Sequence, residues 1–199
     1  MVGTGEIRIG DHVVGGNQPC FIIAEIGINH NGSLETALRL VDKAVAAGAN
    51  SVKFQAFKAE NFCSGTDDEF EYQTQGETVR ESMLEFFTRH ELDADQFRTL
   101  FEHAAGLGVV PLATPCDFES VDMLSDLGVA AFKIGSDDLV YPDLLIYAAK
   151  KQKPLIISAG MADAAEIKRA VEVIRSTGND NIILLHCVSL YPTPADQLN

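Results

Sequence analysis

Six short runs rich in β-branched and other apolar residues set the plan of this chain: Phe21 to Gly27, Ser51 to Gln55, Val109 to Thr114, Ala131 to Gly135, Pro154 to Gly160 and Ile182 to Cys187. Each ends in polar residues of catalytic type. The first five are followed, directly or after one long insertion, by a helical pattern. Strands alternating with helices form a parallel sheet, because a parallel neighbour is reached only through a crossover. Eight such units close a (β/α)8 TIM-type barrel, with its chemistry at the strand C-termini. The expectation is an α/β barrel of which about six β/α units are present.

At 199 residues the chain has room for one domain with a substantial core, whereas a complete barrel of this type takes roughly 250 residues. The shortfall reads as a fragment or as a different closure. A net charge of −14 excludes a broad phosphate-tracking surface for nucleic acid, which needs clustered Lys and Arg; small anions remain open where a few cations converge. Cys20, Cys63, Cys116 and Cys187 make no C-x-x-C pair, so neither a zinc ribbon nor a disulfide framework is indicated. With no apolar leader in Met1 to Gly10 and no run of membrane-spanning length, a cytoplasmic location is expected.

Ile7 to Val14, with Gly-Asp at its bend, resembles a hairpin of the sort that plugs the bottom of a barrel. Helices are expected from Leu34 to Gly48, Glu119 to Leu127, Pro142 to Lys151 and Asp163 to Ser176. Proline opens the third of these, as the first helical turn allows. The insertion after the second run holds a polar stretch, Cys63 to Glu77, and then two helical patterns. The second pattern, through Phe97, Leu100, Phe101, Ala104 and Ala105, is the barrel helix.

Side chains on a strand alternate faces, so Val52 and Phe54 can meet the outer helices while Lys53 and Gln55 point inward. Phe132-Lys133-Ile134-Gly135 repeats the pattern. Two inward ammonium groups are costly to desolvate without an anion. They either pair with Glu25 and with Asp137 or Asp138, or they grip a phosphate or carboxylate of a substrate. Thr114, Ser136 and Ser158 add hydroxyls at the same rim, though singly each would read as a turn residue.

Glu25, between apolar neighbours, is expected to face into the barrel. Burial would raise its pKa and Lys53 would lower it, which suits an acid/base group or the lysine's counter-ion. His30, in the following loop, reads as a substrate contact or a turn stabiliser. His186 alone is a weak metal candidate, and His12, His90 and His103 are expected on solvated periphery. No dinucleotide fingerprint, P-loop or nucleophile elbow is present.

Taken together, Ile22-Ile23-Ala24-Glu25-Ile26-Gly27-Ile28-Asn29-His30-Asn31-Gly32, Val52-Lys53-Phe54-Gln55, Ala113-Thr114-Pro115, Phe132-Lys133-Ile134-Gly135-Ser136, Ile157-Ser158-Ala159-Gly160-Met161 and Leu185-His186-Cys187…Tyr191-Pro192-Thr193-Pro194 strongly resemble the sialic acid synthase (NeuB-like) family. That family includes the synthases of N-acetylneuraminate, legionaminate and pseudaminate and related spore-coat polysaccharide proteins. The resemblance divides the chain into a lead-in, residues 1–20, and a partial barrel, residues 21–199.

The resemblance implies a phosphoenolpyruvate-dependent transferase of carbohydrate biosynthesis. Such an enzyme joins phosphoenolpyruvate to the open-chain aldehyde of an N-acylated hexosamine, such as N-acetylmannosamine, and releases phosphate. It implies that Lys53, Thr114, Lys133, Ser136 and Ser158 hold phosphoenolpyruvate, that Glu25 is the acid/base group, that Gln55 and Tyr191 contact the amino sugar, and that Asp138 stands where the family binds sugar with an acid. Three positions depart from its pattern: Asp137 for a frequent Gly, Ala159 for a frequent Thr, and Ser189 where Asn often helps at the phosphate side.

The resemblance further implies a divalent metal, Mn2+ or Mg2+, held by two histidines on later strands, and an antifreeze-like C-terminal domain that completes the sugar site across a homodimer. Neither the metal ligands nor that domain falls within residues 1–199. Two rivals stand beside this reading: a related synthase acting on a phosphorylated sugar, and a non-catalytic truncated barrel.

Overall fold

The structure is a computed structural model and describes residues 5–65, 69–74 and 76–198. Residues 1–4 of the expected lead-in, and residues 66–68 and 75 of the expected polar stretch, lie outside the described residues.

In chain order the elements are β1 (Ile7–Ile9), β2 (His12–Val14), β3 (Ile23–Gly27), α1 (Leu34–Ala46), β4 (Ser51–Ala56), α2 (Ala59–Phe62), β5 (Glu69–Thr74), β6 (Glu77–Ser82), α3 (Met83–Thr88), α4 (Ala94–Gly106), β7 (Val110–Pro115), α5 (Phe118–Asp126), β8 (Phe132–Ile134), α6 (Pro142–Lys150), β9 (Leu155–Ser158), α7 (Ala164–Arg175) and β10 (Ile182–Leu185). A 3-10 turn over Asp138–Val140 joins β8 to α6.

Six strands form one parallel sheet in the order β10-β9-β8-β7-β4-β3, with β3 and β10 at its edges. This is the expected β/α barrel architecture, present as a curled half. Val52, Phe54, Phe132, Ile134, Leu155 and Ile157 are buried and meet helices that offer Val41, Leu100, Leu124, Leu144 and Ile174, also buried. Strands covered on both faces read as near-continuous apolar runs, and every residue of β9 is buried. The helices start where side chains satisfy their free N–H groups: Ser33 accepts from Thr36 at α1, and Asp93 and Asp163 form capping boxes at α4 and α7.

The β1–β2 hairpin lies where the sequence places it. Its tip at Gly10 packs on Val110 and Ala130, at the N-terminal ends of β7 and β8, and so covers the end of the sheet opposite the strand C-termini.

The insertion departs from the sequence expectation. The later part of the polar stretch, together with the residues just after it, forms an antiparallel hairpin, β5–β6, in which Tyr72 faces Val79. Only Phe70 and Tyr72 carry an apolar period of two in β5, and acidic residues on the alternate positions obscure it. Those two rings pack on Phe86 of α3, Phe86 touches Phe87, and Phe87 meets Phe57 and Phe62. The insertion thus has an aromatic core of its own beside the strand C-termini.

Candidate active site

Glu25, Lys53 and Leu112 stand opposite one another on β3, β4 and β7, and Gln55 stands opposite Thr114 one layer further toward the C-termini. Lys53 is buried; its Nζ lies 2.9 Å from Glu25 Oε2 and donates to Thr114 Oγ1 at 3.3 Å. Lys133 is also buried, and its Nζ donates to the Ile134 carbonyl at 2.9 Å. Among the described residues no carboxylate lies within ion-pairing distance of Lys133. Of the two alternatives drawn from sequence, counter-ion pairing therefore holds for Lys53 and fails for Lys133.

Burial holds the Lys133 ammonium below the usual lysine range, and the Lys53 charge pushes the same way; Glu25, Cys187 and Asp137 oppose them. Two buried cations that feel each other are relieved by an anion placed between them. The hydroxyls stand at the same rim. Thr114 and Ser158 are buried at the ends of β7 and β9, and Ser136 Oγ accepts the Gly160 N–H at 3.1 Å, tying the end of β8 to that of β9.

Glu25 differs from its expected burial. Its side chain is 58% exposed, because β3 is an edge strand and only one flank of the carboxylate is covered. Gln55 Oε1 lies beside Gly27. His90, expected in solvent, is buried: its ring stacks on Phe86, and its Nδ1 lies 2.6 Å from the Phe86 carbonyl. His30 is fully buried. Its Nδ1 accepts the Gly32 N–H at 3.1 Å, leaving Nε2 without a hydrogen-bond partner among the described residues.

Ser189 and Tyr191 follow β10 in an exposed segment, with Tyr191 95% exposed. The described structure does not bring Tyr191 onto Gln55. His186 is likewise exposed.

Sequence reasoning missed two features. Asp117 is buried and bridges two elements, its carboxylate accepting from the Ser120 N–H of α5 and from the Lys58 N–H after β4. A cleft of about 480 Å³ also opens between the loop after β3 and the insertion, lined in part by Asn29, Asn31, Tyr72, Arg89 and His90. The signal for Asp117 was its place just before a helical pattern, an N-cap position. The cleft depends on the hairpin and had no local signal.

Among the described residues no group of three or more His, Cys, Asp or Glu could hold a metal ion. The described residues do not assemble a site for the divalent cation the resemblance implies. Among the described residues, no helix is long and apolar enough to cross a membrane.

The NeuB family model matches residues 40–199. The chain belongs to the NeuB family. It is 41% identical over 180 residues to the N,N'-diacetyllegionaminic acid synthase of Campylobacter jejuni, covering 89% of this chain and 54% of that protein. It is 36% identical over 190 residues to the human N-acetylneuraminate-9-phosphate synthase, covering 94% of this chain and 51% of that one. Among solved structures, the N-acetylneuraminic acid (sialic acid) synthetase of Leptospira borgpetersenii, in complex with citrate, superposes with a TM-score of 0.86 at 36% identity, over 98% of this chain and 64% of that chain. This member of the NeuB family thus spans about half the length of the curated relatives it matches.

Proposed function

We propose that this NeuB-family chain carries the phosphoenolpyruvate half of a sialic-acid-type synthase. In this reading phosphoenolpyruvate is condensed with an unphosphorylated N-acylated hexosamine to give a nine-carbon 2-keto sugar acid and phosphate. The observation that carries the proposal is the buried Lys133, which lacks a carboxylate partner among the described residues and lies near enough to the buried Lys53 to feel its charge.

Lys53, Lys133, Thr114, Ser136 and Ser158 hold the phosphate and carboxylate of phosphoenolpyruvate. Its enol carbon attacks the acceptor aldehyde, and positive charge develops on the carbon bearing the phosphate. The Glu25 carboxylate, partly open to water and beside Lys53, steadies that charge and takes a proton from the water that adds there. Phosphate then leaves. Gln55 and Asp138 face the acceptor, with Ser189 and Tyr191 joining from the segment after β10. A divalent cation, a second subunit and a cytoplasmic setting belong to the same proposal.

The test is phosphate release from phosphoenolpyruvate in the presence of N-acetylmannosamine, its 6-phosphate or no acceptor. Release that depends on the unphosphorylated sugar supports the reading. Release with the phosphorylated sugar alone favours the related synthase, and no release with either, with manganese or magnesium supplied, favours a non-catalytic barrel.

A further inference from the structure

The cleft between the loop after β3 and the insertion is separate from the anion site. It encloses about 480 Å³, and none of Lys53, Thr114, Lys133, Ser136 and Ser158 lines it. That volume falls in the range of about 300–1,000 Å³ usual for small-molecule sites. Its two walls are held together at Gly32, which has a φ of 74° and approaches the Arg89 carbonyl so closely that a Cβ could not fit. The loop is thereby set against the C-terminal end of α3.

The polar groups of the lining are mostly proton acceptors. His90 is 5% exposed, and its Nδ1 lies 2.6 Å from the Phe86 carbonyl. A carbonyl can only accept, so the proton of the neutral ring sits on Nδ1 and Nε2 is left as an acceptor. Among the described residues that Nε2 has no hydrogen-bond partner. Asn29 donates its Nδ2 to the Ile26 carbonyl at 2.9 Å, which leaves its Oδ1 to accept as well. The Asn31 side chain is exposed and has no hydrogen bond among the described residues. His30 is fully buried and near enough to His90 to feel its charge, and it keeps an unpartnered Nε2–H. The two rings thus set a donor close to an acceptor, a pairing that a hydroxyl, at once donor and acceptor, answers.

Charged ligands find little here. The Arg89 guanidinium donates through both Nη atoms to the Glu81 carboxylate, to which the Tyr72 hydroxyl also donates at 2.6 Å, so its charge is already neutralised. Anions would bring acceptors to acceptors. A cation would meet a Phe86 ring that already has Arg89 at 5.3 Å from its centroid. Phe70 and Tyr72, stacked with centroids 5.2 Å apart, add an apolar wall to the same lining.

We propose that this cleft is a second binding site, for a neutral sugar in its ring form. Hydroxyls of the sugar donate to His90 Nε2 and Asn29 Oδ1 and accept from the Asn31 amide, and the C–H face of the ring lies on Phe70 and Tyr72. The site goes beyond the function proposed above and does not rest on it. A sugar locked as a methyl glycoside has no free aldehyde, so it can occupy the cleft without being an acceptor for condensation.

The experiment titrates methyl glycosides of glucose, galactose and N-acetylglucosamine into 15N-labelled protein at mildly alkaline pH. The methyl glycoside of glucuronic acid serves as the anionic probe and choline as the cationic one. The neutral glycosides shift the amide signals of Asn29, Asn31, Phe70, Tyr72 and His90, and do so equally with saturating phosphoenolpyruvate and in Lys133→Met. Asn31→Gly suits the positive φ of that position, and His90→Phe keeps a ring on Phe86. Each raises Kd by about 2- to 10-fold, the effect of losing one neutral hydrogen bond.

The proposal is overturned by the absence of shifts with every neutral glycoside, by shifts confined to other residues, or by displacement with phosphoenolpyruvate. Tighter binding of the glucuronide or of choline overturns it too, as does an unchanged Kd in both variants. The wild type alone decides the first four outcomes, so a variant that does not fold leaves the test intact. Absence of phosphate release with any acceptor defeats the functional reading and leaves the glycoside result standing.

Discussion

Lys53 and Glu25 face each other across β4 and β3 with Nζ and Oε2 2.9 Å apart, yet the lysine side chain is 6% exposed and the carboxylate 58%. The pair is therefore half buried. The ammonium depends on its partner and on Thr114, whereas the carboxylate remains hydrated and can accept a proton from water. A fully buried pair would exact a desolvation cost on both members and leave neither free to act.

This asymmetry separates binding from turnover. Glu25→Gln leaves a neutral side chain of the same shape, so phosphoenolpyruvate affinity stays within a few-fold while kcat falls by about 10²- to 10⁴-fold. Isothermal titration and single-turnover phosphate release measure the two effects separately. Equal losses in both would show that Glu25 serves only as the counter-ion.

Lys133 is the sharper probe of the anion pocket, because its described partner is a backbone carbonyl. Lys133→Met keeps the stem and removes the charge, and the loss of charge-assisted hydrogen bonds of about 1.5–3 kcal/mol corresponds to a rise of roughly 10- to 150-fold in Kd for phosphoenolpyruvate. Its lowered pKa adds a pH test. The ammonium binds the anion only while protonated, so affinity falls as pH rises and begins to fall before an ordinary lysine would titrate. Unchanged affinity in Lys133→Met would remove the anion site from this part of the sheet.

The barrel layout was legible because its signals are local. Val52-Lys53-Phe54-Gln55 announces a strand and its two faces, and the run from Asp163 to Ser176 announces a helix; the structure bears out both. What could not be read depended on remote partners. The burial of Glu25 hinges on β3 lying at a sheet edge, and the burial of His90 on a ring stacked four residues away in α3. The β5–β6 hairpin was hidden because Phe70 and Tyr72 are apolar for the sake of Phe86, beyond the range of any strand-period argument.

Asp117 makes a test of the rim's framework. It caps α5 and holds the Lys58 N–H of the segment that follows β4, the strand bearing Lys53 and Gln55. Asp117→Ala loses the cap and orphans a second donor, a destabilisation of about 2–3 kcal/mol, equivalent to about 5–10 °C in Tm for a domain of this size. Asp117→Asn, which keeps one good acceptor, loses roughly half as much. Calorimetry of both variants checks the order, and equal stability of Asp117→Ala and wild type would show that water replaces the bridge at no cost.

His30 ties stability to pH through the loop that carries Asn29 and Asn31. Gly32 can approach the Arg89 carbonyl only because it lacks a Cβ, and its N–H donates to His30 Nδ1, so the loop is pinned beneath the insertion by a buried, neutral imidazole. Burial first, and the nearby His90 second, lower the His30 pKa from 6.5 to about 4. Between those values the unfolded chain binds a proton that the folded chain refuses, so the stabilisation is complete above about 6.5, is lost as pH falls toward 4, and changes no further below that. Urea midpoints at pH 7 and pH 4.5 should therefore drop in the wild type by more than in His30→Asn, which retains an acceptor for the Gly32 N–H and does not titrate. Parallel drops in the two proteins would place the acid sensitivity elsewhere and leave the loop held by packing alone.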